Sequence, residues 1–517
     1  MNRTLSVGTD DQIIVIGSGP CGAMAAGRLV RRGLSVTMLD AGLEAPKGVI
    51  IRAAGNTLYR KMDLSQLESD RHERSLEAEV DWYSSRTLGG LSNYWTAAVP
   101  RFAPEDFTEG GRLDERYRWP ITYDELVPFY EEAEASLVVT AGTSLANLPA
   151  NVARFRVELA EDWRVFVASA ARHSDFAGPM PMAKGRPWMA ARRGTEFSSY
   201  HCVIAPLLAS RQLNLISGAS VTRLNWSSTD QRVTSVEYVD RRSGVRTTVH
   251  GQAVVVAAGV IDSTAILLRS VSPDFPDGLG NTNGIIGRYL HDHPREWWTA
   301  APSHPMSALA HPVYISRAAY ADSAPLMATS FTLGLAARTD RLRTFIRGKS
   351  QRFGVQVFGT MVPRPDVGVS LPKDLTPDTI YYRPKITLRY DEATIANLVS
   401  ARSRLAEIFR EAGSKVTLPG PFLAGAPGSS VHYGGSIRMH ASPQFGALDQ
   451  WNRLRDVPNV VVCDSSCFTT GPEKNPTLTA MAIAARATER LADDVLGRRV
   501  RPDSLRVVCP QMGPSVV

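Results

Sequence analysis

Short unbroken apolar runs alternate along the chain with stretches whose apolar positions recur every three to four residues. The first run, "IIVI" at Ile13–Ile16, reads as a buried strand. The segment "AMAAGRLVRRG" that follows has a helical period, and Gly33 stops it. A second strand, "SVTML", ends at Asp40. Two later segments, "LNLISGASVTRLNW" (213–226) and "AVVVAAGVIDSTAILLRS" (253–270), also begin as strands. The second of them enters a helix through Ala257, Ala258 and Gly259. "RFGVQVFGTMV" (352–362) and "DTIYYRPKITLRY" (378–390) suit an antiparallel sheet. Thr122 and Glu125 form a capping-box pattern ahead of a helix. "GPEKNPTLTAMAIAARATERL" (471–491) reads as a helix start, with Asn475 as N-cap and Pro476 at the first helical position.

Between the first two strands lie Gly17, Gly19 and Gly22, with Asp40 standing 23 positions after the first glycine. Strand, glycine turn, helix, strand and acid make a complete dinucleotide-binding beginning. Gly17 permits a tight turn. Gly19 lets the backbone approach a pyrophosphate at the positive end of the helix. Gly22 lets the helix pack on the strand, and Asp40 can accept from ribose hydroxyls. This spacing fits FAD and NAD equally.

A chain of 517 residues favours more than one domain. Its 44% hydrophobic and 21% charged content is ordinary for a globular protein. The net charge of +7 is scattered, without the basic stripe of a nucleic-acid binder. No run approaches the ~18 apolar residues of a membrane span. "MNRTLSVGTDD" has no apolar signal-peptide region. The five cysteines, Cys21, Cys202, Cys463, Cys467 and Cys509, include no CxxC pair. They imply no metal site and a reducing, cytoplasmic home.

Four further segments carry a resemblance. They are "TLGGLSNYWTAAVPRF" (87–102), "NTNGIIGRYLHDHP" (281–294), "VHYGGSIRMH" (431–440) and "NVVVCDSSCF" (459–468). With "WPITYDELVPFYEEAEASLVVTAG" (119–142) and "NPTLTAMAIAARA" (475–487), they follow the order found in glucose–methanol–choline (GMC) oxidoreductases. "NPTLTAM" and the Gly-Gly segment look most like pyranose oxidases, and the compact length resembles bacterial glycoside 3-oxidases, including those acting on C-glycosides. The resemblance implies an α/β cofactor domain of Rossmann-like FAD-binding type plus an α+β substrate domain with an antiparallel sheet. The cofactor domain would be discontinuous, from 1–102, 205–295 and 431–517; the substrate domain would take 103–204 and 296–430.

The resemblance also implies chemistry. A base removes a hydroxyl proton while the α-hydrogen leaves as hydride to flavin N5. His432 corresponds to that base and Asn475, 43 residues later, to its partner. Gly434, Gly435 and Ser436 are expected to leave room for the cofactor. Gly89, Gly90, Ser92, Tyr94, Trp95, Thr96, Val221, Ala258, Gly259 and Asp464 correspond to FAD contacts. Pro476 and Thr477 would bring a positive helix end against the flavin. Tyr94 stands where many pyranose oxidases carry the histidine that bonds the flavin, so FAD is expected to be non-covalent. The expected substrate is the secondary hydroxyl (C3 or C2) of a pyranose sugar or glycoside, with O2 or a quinone as acceptor; a non-sugar alcohol is the alternative. Reduction should accelerate as an imidazole of ordinary pKa, about 6.5, loses its proton.

Overall fold

The structure, a computed structural model, describes residues 12–43, 82–142, 149–183 except 174, 197–208, 213–307, 313–317, 349–418 with breaks at 351, 374 and 376–383, residue 420, and 427–497. The N-terminal segment, residues 378–383 of the second predicted antiparallel strand, Cys509 and the tail beyond Val500 lie outside them.

Its centre is a six-stranded sheet. The strands, in chain order, are β1 (Ile13–Ile16), β2 (Val36–Asp40), β3 (Leu213–Ser217), β7 (Ala253–Val256), β11 (Arg453–Leu454) and β12 (Val457–Val462). Their spatial order is β11-β12-β7-β1-β2-β3, all pairs parallel except β11 with β12. Parallel strands covered on both faces need apolar side chains on both, which is why β1 and β7 read as unbroken aliphatic runs. Every residue of those two strands is buried. On one face lie α1 (Pro20–Arg31) and α6 (Thr477–Leu496), with α2 (Tyr123–Leu137) against α6. On the other lies an antiparallel meander of β4 (Ala219–Ser227), β5 (Arg232–Asp240) and β6 (Arg246–His250). The helix α4 (Val260–Arg269) follows β7 directly.

A second layer has its own core. Strand β8 (Arg295–Pro302) runs between β9 (Phe353–Phe358) and β10 (Ser414–Thr417), antiparallel to both. Trp298, Ala300, Val355 and Val357 point to one side of that sheet and pack against Leu398, Leu405 and Phe409 of α5 (Glu392–Glu411). The stretch 103–204 divides between the layers. Phe107, Trp119, Leu126 and Tyr130 join the core of the parallel sheet, while Trp163 and Phe166 join the second core.

The capping box holds: the Glu125 carboxylate accepts from Thr122 N–H at 2.8 Å, and Thr122 Oγ1 accepts from Glu125 N–H at 3.3 Å. The cap expected at Asn475 does not. Helix α6 begins at Thr477, and Pro476, already near helical dihedrals at φ −79° and ψ −19°, occupies the capping position. The Pro476 carbonyl takes the first helical bond, from Ala480 N–H. The Asn475 side chain makes no cap bond because it is drawn elsewhere.

Candidate active site

The carboxyl ends of β1, β2, β7 and β12 lie at one edge of the parallel sheet, the usual ligand side of an open α/β sheet. Gly17 has φ +99°, and a Cβ there would stand 2.4 Å from the Ala257 carbonyl oxygen. A Cβ on Gly22 would meet the Gly17 oxygen at 2.0 Å, so helix α1 sits on the turn only without one. Gly19 has open space where its Cβ would be. It precedes a first helical turn with no acidic residue. Asp40 holds this turn. Its Oδ2 accepts from Ser18 N–H and Oγ–H, both at 2.7 Å, and its Oδ1 accepts from Gly42 N–H at 2.6 Å. Three of roughly four lone-pair positions are thus taken. Burial raises the Asp40 pKa against these bonds.

Gly89 and Gly90 lie against the same turn. Gly89 N–H donates to Ser18 Oγ at 2.8 Å, and a Cβ on Gly90 would stand 3.6 Å from Gly19 Cα. Ser92 points inward: it donates to the Gly89 carbonyl at 2.6 Å and accepts from Ser199 N–H. Tyr94 Oη lies 3.3 Å from Thr87 Oγ1, and Trp95 Nε1 donates to the Phe197 carbonyl. Thr96 is exposed. Val221 lies near the start of β4, just after Gly218, whose N–H donates to the Gly42 carbonyl beyond β2. At the ends of β7 and β12, Asp464 accepts from Gly259 N–H at 2.9 Å and from Ser263 Oγ at 2.5 Å. Ala258 N–H donates to Ser263 Oγ, which completes that corner.

His432 and Asn475 come together directly. Asn475 Nδ2 stands 2.9 Å from His432 Nε2. The other nitrogen, His432 Nδ1, lies 3.1 Å from His293 Nδ1. One of two facing nitrogens must carry the proton. Asn475 Nδ2 can only donate, so His432 Nε2 is the acceptor of that pair and His293 Nδ1 the acceptor of the other. His432 therefore carries its proton on Nδ1, and its Nε2 holds a lone pair that faces the Asn475 amide. The Asn475 Oδ1 is buried with no partner among the described residues.

His293 and Asp292 are the residues that pattern reading passed over. Both sit in the "HDHP" stretch, where three titratable side chains interrupt buried surroundings. Asp292 Oδ1 accepts from His432 N–H at 2.9 Å and its Oδ2 from Ser430 N–H at 3.2 Å. Between them Val431 has φ +57°, a left-handed conformation that a β-branched residue rarely takes. The carboxylate clamps both sides of this strained residue and so fixes where His432 leaves the backbone. Burial raises Asp292 to about 6, against its backbone hydrogen bonds.

Two expectations change here. The space where a Gly434 side chain would stand is taken by the His291 imidazole, and that at Gly435 first by the Tyr289 carbonyl oxygen, at 2.2 Å, and then by the same imidazole. Added Cβ atoms there would meet His291 Nε2 at 2.4 Å and His291 Nδ1 at 2.9 Å. The basic nitrogen also does not titrate near 6.5. Burial, with the Arg295 cation second, lowers His432 to about 3. Burial takes His291 to about 4, and His293 falls well below the usual imidazole range, its burial reinforced by the neighbouring histidines.

Among the described residues no group of three His, Cys, Asp or Glu side chains could hold a metal ion. No helix among them is long and apolar enough to cross a membrane.

Comparison with known proteins places this geometry. Paromamine 6'-oxidase of Streptomyces fradiae is 28% identical over 94% of this chain and 92% of its own length. C-glycoside 3-oxidase of Microbacterium trichothecenolyticum is 24% identical over 80% of this chain and 76% of its own. Among solved structures, pyridoxine 4-oxidase from Mesorbium loti superposes with a TM-score of 0.66 at 20% identity, covering 93% of this chain and 98% of that one. The N-terminal GMC oxidoreductase model matches residues 15–295 and the C-terminal model residues 369–484. With more than half its length matched, the chain belongs to the GMC oxidoreductase family, enzymes that oxidise CH–OH groups.

Proposed function

We propose that the protein is an FAD-dependent oxidoreductase that converts a secondary hydroxyl, at C3 or C2 of a pyranose sugar or glycoside, into a ketone. The observation that carries this reading is the His432–Asn475 pair, with the His432 Nε2 lone pair turned toward the Asn475 amide. The Gly17–Gly22 turn fits FAD: the space beside Gly19 is open, and the start of α1 bears no acidic residue against a pyrophosphate. FAD, when bound, supplies the acceptor for the hydride. Gly17, Gly19, Gly22, Asp40, Gly89, Gly90, Ala258, Gly259 and Asp464 would hold it, with Pro476 and Thr477 at the start of α6. Tyr94 in place of a linking histidine supports non-covalent binding.

In the reaction His432 Nε2 takes the hydroxyl proton, and the α-hydrogen departs with its electron pair as the carbonyl forms. The Asn475 amide orients the substrate oxygen, and its orphaned Oδ1 can accept from a second hydroxyl. His293 and Asp292 hold the base in its tautomer and position. The acceptor that restores the cofactor is O2, giving H2O2, or a quinone.

The relatives named for paromamine and C-glycoside oxidation support a sugar-like substrate. One of them favours a second reading. The name paromamine 6'-oxidase specifies the 6' position, so a primary hydroxyl is the alternative to C3 or C2. Anaerobic bleaching of the flavin by a panel of sugars and glycosides, with product analysis and reoxidation by O2 or quinone, tests both. Bleaching by non-carbohydrate alcohols alone overturns the sugar reading. Acid precipitation should leave yellow flavin in the supernatant, and flavin retained in the pellet overturns non-covalent binding.

A further inference from the structure

The second sheet has one face packed and one face turned toward the catalytic pair. On β8, Trp298 and Ala300 lie in the core under α5, and Glu296 pairs with Arg402 of that helix at 3.1 Å. Side chains alternate along a strand, so Arg295, Trp297 and Thr299 share the opposite face. On β9, Val355 and Val357 are in the same core, which puts Gly354, Gln356 and Phe358 on that opposite face too. The register aligns Arg295 with Phe358, Trp297 with Gln356 and Thr299 with Gly354.

Phe358 ties this face to the site. Its ring lies 4.9 Å from the His432 ring and 5.9 Å from the His293 ring. Arg295, opposite it, donates to Ser429 Oγ at 3.1 Å, three residues before His432. One step outward, two residues along each strand and roughly 7 Å away, stand Trp297 and Gln356. Exposure rises in the same direction: Phe358 is 5% exposed and Trp297 43%. Trp297 is a large aromatic face open beside a buried catalytic pair, and Gln356 is a neutral donor and acceptor next to it.

We infer that Trp297 and Gln356 form a second subsite, which takes the ring attached to the one being oxidised. That ring lies with its apolar face on the indole and a hydroxyl or ether oxygen at its edge on the Gln356 amide. No charged residue belongs to the pair, so the ring it fits is neutral: an aryl aglycone or a second sugar unit, the apolar ring face being common to both. The spacing sets this subsite beyond Phe358, one ring removed from His432. This inference rests on the sugar reading above and sharpens it, since it makes a glycoside, not a free monosaccharide, the better substrate.

The test compares Trp297→Ala and Gln356→Ala with the wild type in stopped-flow reduction by a monosaccharide, its aryl glycoside and a disaccharide of the same sugar. Trp297→Ala should raise the half-saturating concentration of the ring-bearing substrates by roughly 10-fold, the weight of one aromatic stack. The limiting reduction rate and the monosaccharide constants should stay unchanged, and Trp297→Phe should recover part of the loss. Trp297 is exposed, so its removal should leave the melting temperature unaltered. An aryl glycoside should also quench tryptophan fluorescence more in the wild type than in Trp297→Ala. The aryl arm and the disaccharide arm separate the two kinds of ring. Equal effects on monosaccharide and glycoside, or no effect on either, overturn the subsite while leaving the sugar reading intact. A wild type that no carbohydrate reduces overturns both.

Discussion

The depressed basicity of His432 makes pH a sharp perturbation. An imidazole of ordinary pKa, about 6.5, is roughly 76% neutral at pH 7 and about 3% neutral at pH 5. Were His432 such a group, the observed rate of anaerobic reduction would fall about 25-fold over those two units. In the structure burial, with the Arg295 cation behind it, takes His432 to about 3. At pH 5 such a group is still about 99% neutral. The sign is fixed: a lowered pKa extends the competent, unprotonated form to lower pH, so the rate should be level from pH 8 to pH 5 and decline only near pH 4. The assay is stopped-flow bleaching at saturating substrate in overlapping buffers of constant ionic strength. His432→Ala should slow bleaching by ~10²–10⁴-fold, the usual weight of a positioned base, while flavin content is retained. A wild-type rate that rises tenfold per unit up to an inflection at 6–7, and does so in Asp292→Asn as well, would refute the argument, since Asp292 itself lies at about 6. It would mean that the site solvates the imidazolium, and the buried contact of His432 with His293 could not then be intact.

Three further outcomes follow from particular contacts. Asn475→Asp should reduce about 10- to 10³-fold more slowly, because a carboxylate cannot donate to His432 Nε2, and a wild-type rate would show that this bond is dispensable. Asp292→Asn keeps one acceptor oxygen for two backbone N–H groups, so thermal denaturation should show a loss of about 1–3 kcal/mol, and an unchanged melting temperature would remove the clamp from the account. Gly434→Ala drives a methyl to within 2.4 Å of His291 Nε2, with Gly471 also close against that ring; the variant should lose at least about 1–3 kcal/mol by overpacking, while full stability and full flavin content would mean the ring can move aside.

Much of the cofactor half was legible because its signals are local. A strand buried on both faces must be apolar throughout, so "IIVI" and "AVVV" declare themselves. Gly17 and Gly22 are glycines because of backbone contacts within a few residues or one strand away, and their spacing carries that requirement. The layering of 103–204 was not legible, since Phe107 and Trp163 are equally aromatic and nothing in either says which core receives it.

The candidate catalytic centre shows where local reading stops. Asn475 has two valid local explanations, because the amide that makes a good cap is also a good partner for an imidazole. What chooses between them is His432, 43 residues earlier, together with a proline that takes the cap position. The same holds for the glycines beside His432. Their sequence says that something comes close and stays silent on what. The occupant, His291, arrives from a segment far earlier in the chain, as does the Asp292 carboxylate that bears on Val431, 138 and 140 residues before the two N–H groups it accepts from. The tautomer of His432 depends on the Asn475 amide, 43 residues later, and on His293, 139 residues earlier. Each of these decides a chemical property, namely the side of the ring that is basic, the pKa and the angle of the base. Each depends on long-range packing alone. One sequence can therefore nominate the base, but its protonation and aim belong to the fold.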